Sequence, residues 1–171
     1  MDLKRNIREV PDFPIPGILF RDITTVLKDP EVLRFAVDSM ENLLEGVEFD
    51  SFLGPESRGF IFGMPLAYKM SKGFVPVRKA GKLPGPVCHK EYDLEYGTAT
   101  IEIHKDAVKP GQRFIIADDL LATGGTAKAV VDLITQMGGV IVAHLYFIEL
   151  ESLGGRQVLA GQDVRTLLSY A

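Results

Sequence analysis

The chain has one cysteine, Cys88, so no internal disulfide can form and a reducing, cytoplasmic setting is expected. It has no excess of positive charge: the formal net charge is −4, which excludes a general basic face for a nucleic-acid backbone. Any anion it holds must therefore be held by a local site. The opening stretch, MDLKRNIREVPDFP, has no apolar centre and is not expected to act as a signal peptide. The longest apolar run, Val140 to Leu150, is too short to span a bilayer and contains His144, so no membrane association is expected. The three histidines are scattered without ligand spacing, which leaves no dedicated metal cage in view. His144, inside a strand-like run, reads as structural. No repeat, low-complexity tract or long linker divides the 171 residues, which suffice for one domain, 1–171, with a good core.

What is present is an alternation of strand and helix signals. Residues 2–9 are expected to form a short helix stopped by Pro11. Residues 11–22 contain three prolines and a glycine and read as an ordered loop. Asp29-Pro30 reads as an N-cap and a first helical position. Val32, Leu33, Phe35, Ala36, Met40, Leu43 and Leu44 then share one helical face that ends near Gly46. Strands are expected over 50–54, 74–79, 98–104, 113–118, 140–150 and 163–169. Helices are expected over 60–70 and 125–137, the latter with Ala127, Val130, Val131, Ile134 and Met137 on one face. The charged, turn-rich segment 79–97 reads as a long loop or β-hairpin outside the core. This order predicts an α/β fold with a mainly parallel central sheet flanked by helices. Ligands of such sheets bind beyond the carboxyl ends of the strands. The loops there are 54–59, 79–97 and 118–126, which are also the chemically unusual segments, so an enzyme is expected.

The most unusual of them is IIADDLLATGGTAKA, from Ile115 to Ala129. Gly124 and Gly125 let the backbone turn tightly, and its N–H groups can then face an anion at the N-terminus of the next helix. Ala122, Thr123 and Thr126 complete a cradle suited to a phosphate monoester. A branched side chain at Gly124 is expected to sit where the phosphate sits. The loop is neither GxxxxGK[ST] nor G-x-G-x-x-G. Asp118 and Asp119 would repel a phosphate, but they suit a ligand with hydroxyl donors beside its phosphate, as in a ribose 5-phosphate.

An apolar strand, paired acids and A-T-G-G-T resemble the phosphoribosyl pyrophosphate loop of the phosphoribosyltransferases. The blocks PDFPIPGILFRDITTVLKDP, ESRGFIFG, RKAGKLPG, LEYGTATIEIHKDA and DDLLATGGT resemble, in that order, segments of the adenine phosphoribosyltransferases. The resemblance covers nearly the whole chain. It implies transfer of a phosphoribosyl group from phosphoribosyl pyrophosphate to adenine, giving AMP and pyrophosphate, with Mg²⁺ bound mainly through substrate and water. It also implies a homodimer.

By this resemblance, Arg58 with the backbone of Glu56 and Ser57, and Lys79 and Lys82 of RKAGK, bind pyrophosphate. Glu56–Ser57 becomes a candidate non-proline cis peptide. Leu19 and Arg21 present backbone groups to adenine and Phe20 encloses it, within a base-recognition segment spanning 1–30. Glu95 is the acid–base residue at adenine N7, with Tyr96 beside it, in a flexible catalytic loop over 79–97. Asp118 and Asp119 hold ribose, and 122–126 hold the 5-phosphate. Two other readings stay open: transfer to a 6-oxopurine, and a non-catalytic regulator that binds phosphoribosyl pyrophosphate. PGILFRD and LEYG argue against the first. The length, the acidic charge and the presence of Arg58 and Glu95 argue against the second.

Overall fold

In the strand that carries Phe114, Ile115, Ile116 and Ala117, all four side chains are fully buried. Period two sends Ile115 and Ala117 into one hydrophobic cluster and Phe114 and Ile116 into another. A strand apolar on both faces must be covered on both faces, which is what an α/β sheet provides. The computed structural model describes residues 1–94 and 97–171.

The sheet elements are β1 (Arg8–Pro11), β2 (Leu19–Asp22), β3 (Ser51–Pro55), β4 (Gly73–Lys79), β5 (Val87–Asp93), β6 (Thr98–His104), β7 (Arg113–Leu121), β8 (Val140–Leu150) and β9 (Val164–Tyr170). The helices are α1 (Thr24–Leu27), α2 (Pro30–Asn42), α3 (Gly59–Lys69), α4 (Gly125–Gln136) and α5 (Gly155–Val158). The main sheet has the order β5-β6-β4-β3-β7-β8-β9. Its β3–β4, β3–β7, β7–β8 and β8–β9 pairs are parallel, and β4–β6 and β5–β6 are antiparallel. Helices α2 and α3 supply the first cluster through Val32, Ala36, Met40, Phe62 and Leu66. Helix α4 supplies the second through Ala129, Val130, Leu133 and Ile134.

The α2 start follows from its sequence. The Asp29 carboxylate accepts from the Glu31 and Val32 amides, and Pro30 fills the first helical position, where its missing N–H costs nothing. The buried face is rotated from the expected one: Val37 is buried and Phe35 is 37% exposed. In α4, Ala129 and Leu133 join the expected face.

Three segments differ from the expectations. Residues 2–9 are not one helix: a 3₁₀ turn over Leu3–Asn6, capped by Asp2, gives way to β1. The 11–22 loop ends in β2, which pairs antiparallel with β1 from Arg8↔Asp22 to Pro11↔Leu19. That partner strand satisfies the backbone better than an isolated helical turn, whose nucleation is unfavourable. The 79–97 segment fits the hairpin reading over Val87–Asp93, where β5 pairs with β6 throughout. It is also not outside the core, since Cys88 and Tyr92 pack against the second cluster. In β5, Cys88, Lys90 and Tyr92 are half-buried while His89, Glu91 and Asp93 are exposed, the alternation of an edge strand with one covered face. Among the described residues no helix is long and apolar enough to cross a membrane.

Candidate active site

A cleft of about 400 Å³ opens beyond the carboxyl ends of β3, β4 and β7. Residues 55–58, Lys79 and the run from Asp118 to Thr126 line it. The three segments singled out by chemistry therefore converge, although β7 runs on through both aspartates to Leu121 rather than ending at 118.

Gly124 stands at the N-cap of α4 with φ 83°, and no side chain caps the helix. The first amides of α4 have no intrahelical acceptor, and the helix dipole makes that end attractive to an anion. The position of Gly124 corrects one expectation. A Cβ there would lie 2.9 Å from the Gly155 carbonyl oxygen and 3.1 Å from its Cα, not in the cleft. Reciprocally, a Cβ on Gly155 would lie 2.4 Å from the Ala122 carbonyl oxygen. Helix α5 is thus the back wall of the loop, a role for Gly155 that its plain sequence context does not signal. On the other side, the Tyr92 hydroxyl lies 3.1 Å from Thr126 Oγ1.

The paired acids lie at the floor of the cleft. The Asp119 amide donates to Asp118 Oδ1 at 2.8 Å, and Arg58 Nε meets Asp119 Oδ2 at 3.0 Å. Burial pushes the Asp118 carboxyl well above the usual range, and the neighbouring Asp119 charge pushes it further. Burial also raises Asp119, against the opposing pull of the Arg58 guanidinium. Tyr146 lines the same cleft. Its hydroxyl meets His144 Nδ1 at 3.1 Å in the core. Burial lowers the His144 pKa to about 4, which keeps the imidazole neutral and fits its structural reading.

Glu56 organises the basic segment. Its carboxylate accepts from Arg78 Nε at 2.5 Å and from the Lys79 amide at 3.2 Å, and it pairs with Lys82 Nζ at 3.0 Å. Burial alone would raise this carboxyl, but the hydrogen bonds outweigh it and hold the pKa at about 2. Lys79 lines the cleft, while Lys82 is tied to Glu56. The Glu56–Ser57 peptide bond is cis.

Arg58 also borders a second pocket of about 370 Å³, whose walls include Phe13, Phe20, Arg21 and Ile23. The Phe13 and Phe20 rings meet edge to face at 5.1 Å. The Arg21 guanidinium is engaged elsewhere, over the Tyr170 ring and with Glu9. Leu19 does not line this pocket and is 43% exposed. Leu19 and Arg21 are two apart in an extended strand, so their backbone groups point to one edge. Glu95 and Tyr96 lie outside the described residues. Among the described residues no cluster of His, Cys, Asp and Glu could by itself hold a metal ion.

The family pattern for a phosphoribosyl transferase domain matches residues 24–153, from just after β2 to just before α5. Full-length relatives extend the match over the N-terminal hairpin. The adenine phosphoribosyltransferase of Acetivibrio thermocellus is 57% identical over 99% of this chain and 100% of its own. That of Synechocystis is 55% identical over the same shares. Among solved structures, adenine phosphoribosyltransferase from Thermoanaerobacter pseudethanolicus superposes with a TM-score of 0.95 at 51% identity, covering 98% of this chain and 97% of that one. The Saccharomyces cerevisiae enzyme, crystallised with an imino-altritol bisphosphate and adenine, gives 0.91 at 40% identity, covering 97% and 96%. By cleft, topology and full-length likeness, the chain belongs to the adenine phosphoribosyltransferases of the phosphoribosyltransferase family.

Proposed function

We propose that this chain converts adenine and phosphoribosyl pyrophosphate to AMP and pyrophosphate in purine salvage, working as one domain. The observation that carries the reading is the junction at Arg58: a polar cleft with an anion-binding helix start on one side and an aromatic-walled pocket on the other. A phosphorylated sugar fits the first and a planar base the second, and their meeting point is where the glycosidic bond must form.

The 122–126 loop then holds the 5-phosphate, and Asp118 and Asp119 accept from the ribose hydroxyls. As the bond from the anomeric carbon to pyrophosphate breaks and the bond to adenine N9 forms, positive charge grows on the sugar and negative charge on the leaving group. Carboxylates near the sugar and Arg58 with Lys79 near the leaving group stabilise both. Lys82 reaches pyrophosphate by exchanging Glu56 for it. The backbone of Leu19 and Arg21 pairs with adenine beside Phe20, and Glu95 manages the proton at N7 with Tyr96 next to it. Mg²⁺ would be held mainly through substrate oxygens and water, with the two carboxylates nearby on the ribose side. A bound Mg²⁺ would supply positive charge at the pyrophosphate, beside that of Arg58 and Lys79.

We further read the protein as a cytoplasmic homodimer. The exposed Met64 and Tyr68 on α3 favour an association surface. The test of the function is pyrophosphate release with adenine, guanine, hypoxanthine and xanthine as acceptors. Adenine should be the preferred acceptor. Preference for a 6-oxopurine, or no release with any base, would overturn the reading.

A further inference from the structure

We propose that Tyr92 is a positioning residue for the 5-phosphate, acting through Thr126. The inference rests on the phosphate cradle proposed above and extends it to a residue outside the cleft. Tyr92 does not line the cleft; Thr126 does. Their hydroxyls are 3.1 Å apart. The inward-facing register of β5 brings them together: Tyr92 follows Cys88 and Lys90 on the covered face and stands opposite Ala99 of β6. Lys90 approaches Asp132 of α4 at 3.9 Å, a second contact between the same strand and the same helix.

A threonine hydroxyl has one proton and two lone pairs. If Thr126 gives its proton to a phosphate oxygen, it can only accept from Tyr92, and the phenol is the better donor of the two. A bound phosphate therefore sets the direction of both hydrogen bonds, Tyr92 to Thr126 to phosphate, and each polarises the other. Tyr92 also lies in the hairpin arm that leads to Glu95, so the same bond ties that arm to the phosphate loop. The hairpin is then held in place at the end of the cleft where the phosphate sits.

The experiment is calorimetry and steady-state kinetics on Tyr92→Phe, Thr126→Val, Thr126→Ser and the two doubles that combine Tyr92→Phe with each Thr126 change. Tyr92→Phe keeps the ring in its packing and removes only the hydroxyl. It should weaken AMP and ribose 5-phosphate binding about three- to tenfold. Adenine binding should stay as it is, and the ligand-free melting temperature should fall by no more than the few degrees that one hydrogen bond supplies. The loss should persist in Thr126→Ser, which keeps a hydroxyl, and vanish in Thr126→Val, which has none. Equal losses in the presence and absence of the Thr126 hydroxyl would overturn the proposal, as would unchanged AMP affinity in Tyr92→Phe. Failure of the cradle itself reads differently: Thr126→Val alone would then leave AMP and ribose 5-phosphate affinity intact.

Discussion

Asp118, proposed to hold ribose, shows how such a residue would serve the site at the expense of the fold. Burial and the neighbouring Asp119 charge raise its carboxyl well above the ordinary aspartate value of 3.8. A raised carboxyl favours the protonated folded form. The stability it allows is fully present below 3.8 and is lost as pH rises through the folded value. At neutral pH the wild-type protein therefore carries an electrostatic cost that Asp118→Asn removes. The variant should melt at a higher temperature than wild type at pH 7, with the gap closing towards pH 3.8, while kcat/KM falls. Ligand-free thermal melts across pH, beside steady-state kinetics, check both signs; a variant that melts lower at pH 7 contradicts the account. Glu56 has the opposite sign. Its pKa of about 2 means that its contribution is present above 4.5 and is lost as pH falls through about 2. Glu95→Ala should lose about two or more powers of ten in kcat, the usual scale of acid–base assistance. Single-turnover rates near wild type would remove Glu95 from the chemistry.

At the scale of elements, the two glycines of the phosphate loop should separate cleanly. Gly124 needs its φ of 83° and has Gly155 backbone where a Cβ would go. Gly124→Ala should lower the melting temperature and weaken AMP binding together, because a side chain in the left-handed region costs about 1–3 kcal/mol before any clash. Gly125 has open space around its Cβ position and lines the cleft. Gly125→Val should keep the fold and lose AMP affinity at least about tenfold, since it narrows the anion site alone. Melts and calorimetry on the pair decide it; matching melting losses in both would show that the open space at Gly125 is not tolerant. The elements also mark how far the sequence could be read. Runs such as Phe114 to Ala117 announce a strand buried on both faces, and Asp29-Pro30 announces a helix start. The period-two pattern in β5 is legible afterwards, in Cys88, Lys90 and Tyr92, but charged neighbours mask it. The β1–β2 pairing was not legible, because four-residue strands beside several prolines have weak local preference and gain their order from each other. Gly155 and Tyr92 could not be placed at the phosphate loop from sequence, since both contacts are long-range.

For the whole molecule, the prediction is base choice. The pocket beside Arg58 offers aromatic walls and the strand backbone of β2. A 6-oxopurine puts an acceptor where adenine offers an amine, leaving a backbone acceptor unpaired at a cost of about 1–3 kcal/mol. Adenine should therefore exceed hypoxanthine in kcat/KM by about one to two powers of ten. Equal values in a competition assay would separate the fold from the proposed specificity. The family pattern stops short of this pocket's first strand, as it begins at Thr24. On the proposed reading, the shared domain would carry the sugar phosphate and the N-terminal hairpin much of the choice of base.

The packing of α5 against the phosphate loop has a consequence for how the protein comes into being. Gly155 touches Ala122 and closes off the back of Gly124. Every residue assigned to the sugar phosphate has left the ribosome once Thr126 has emerged, yet the loop has no back wall until Gly155 and Val158 follow. A nascent chain halted between these points holds the assigned residues but lacks the wall behind Gly124. Tight binding of the sugar phosphate should then begin only after Gly155 has emerged, and ligand cannot help to fold the loop before that point.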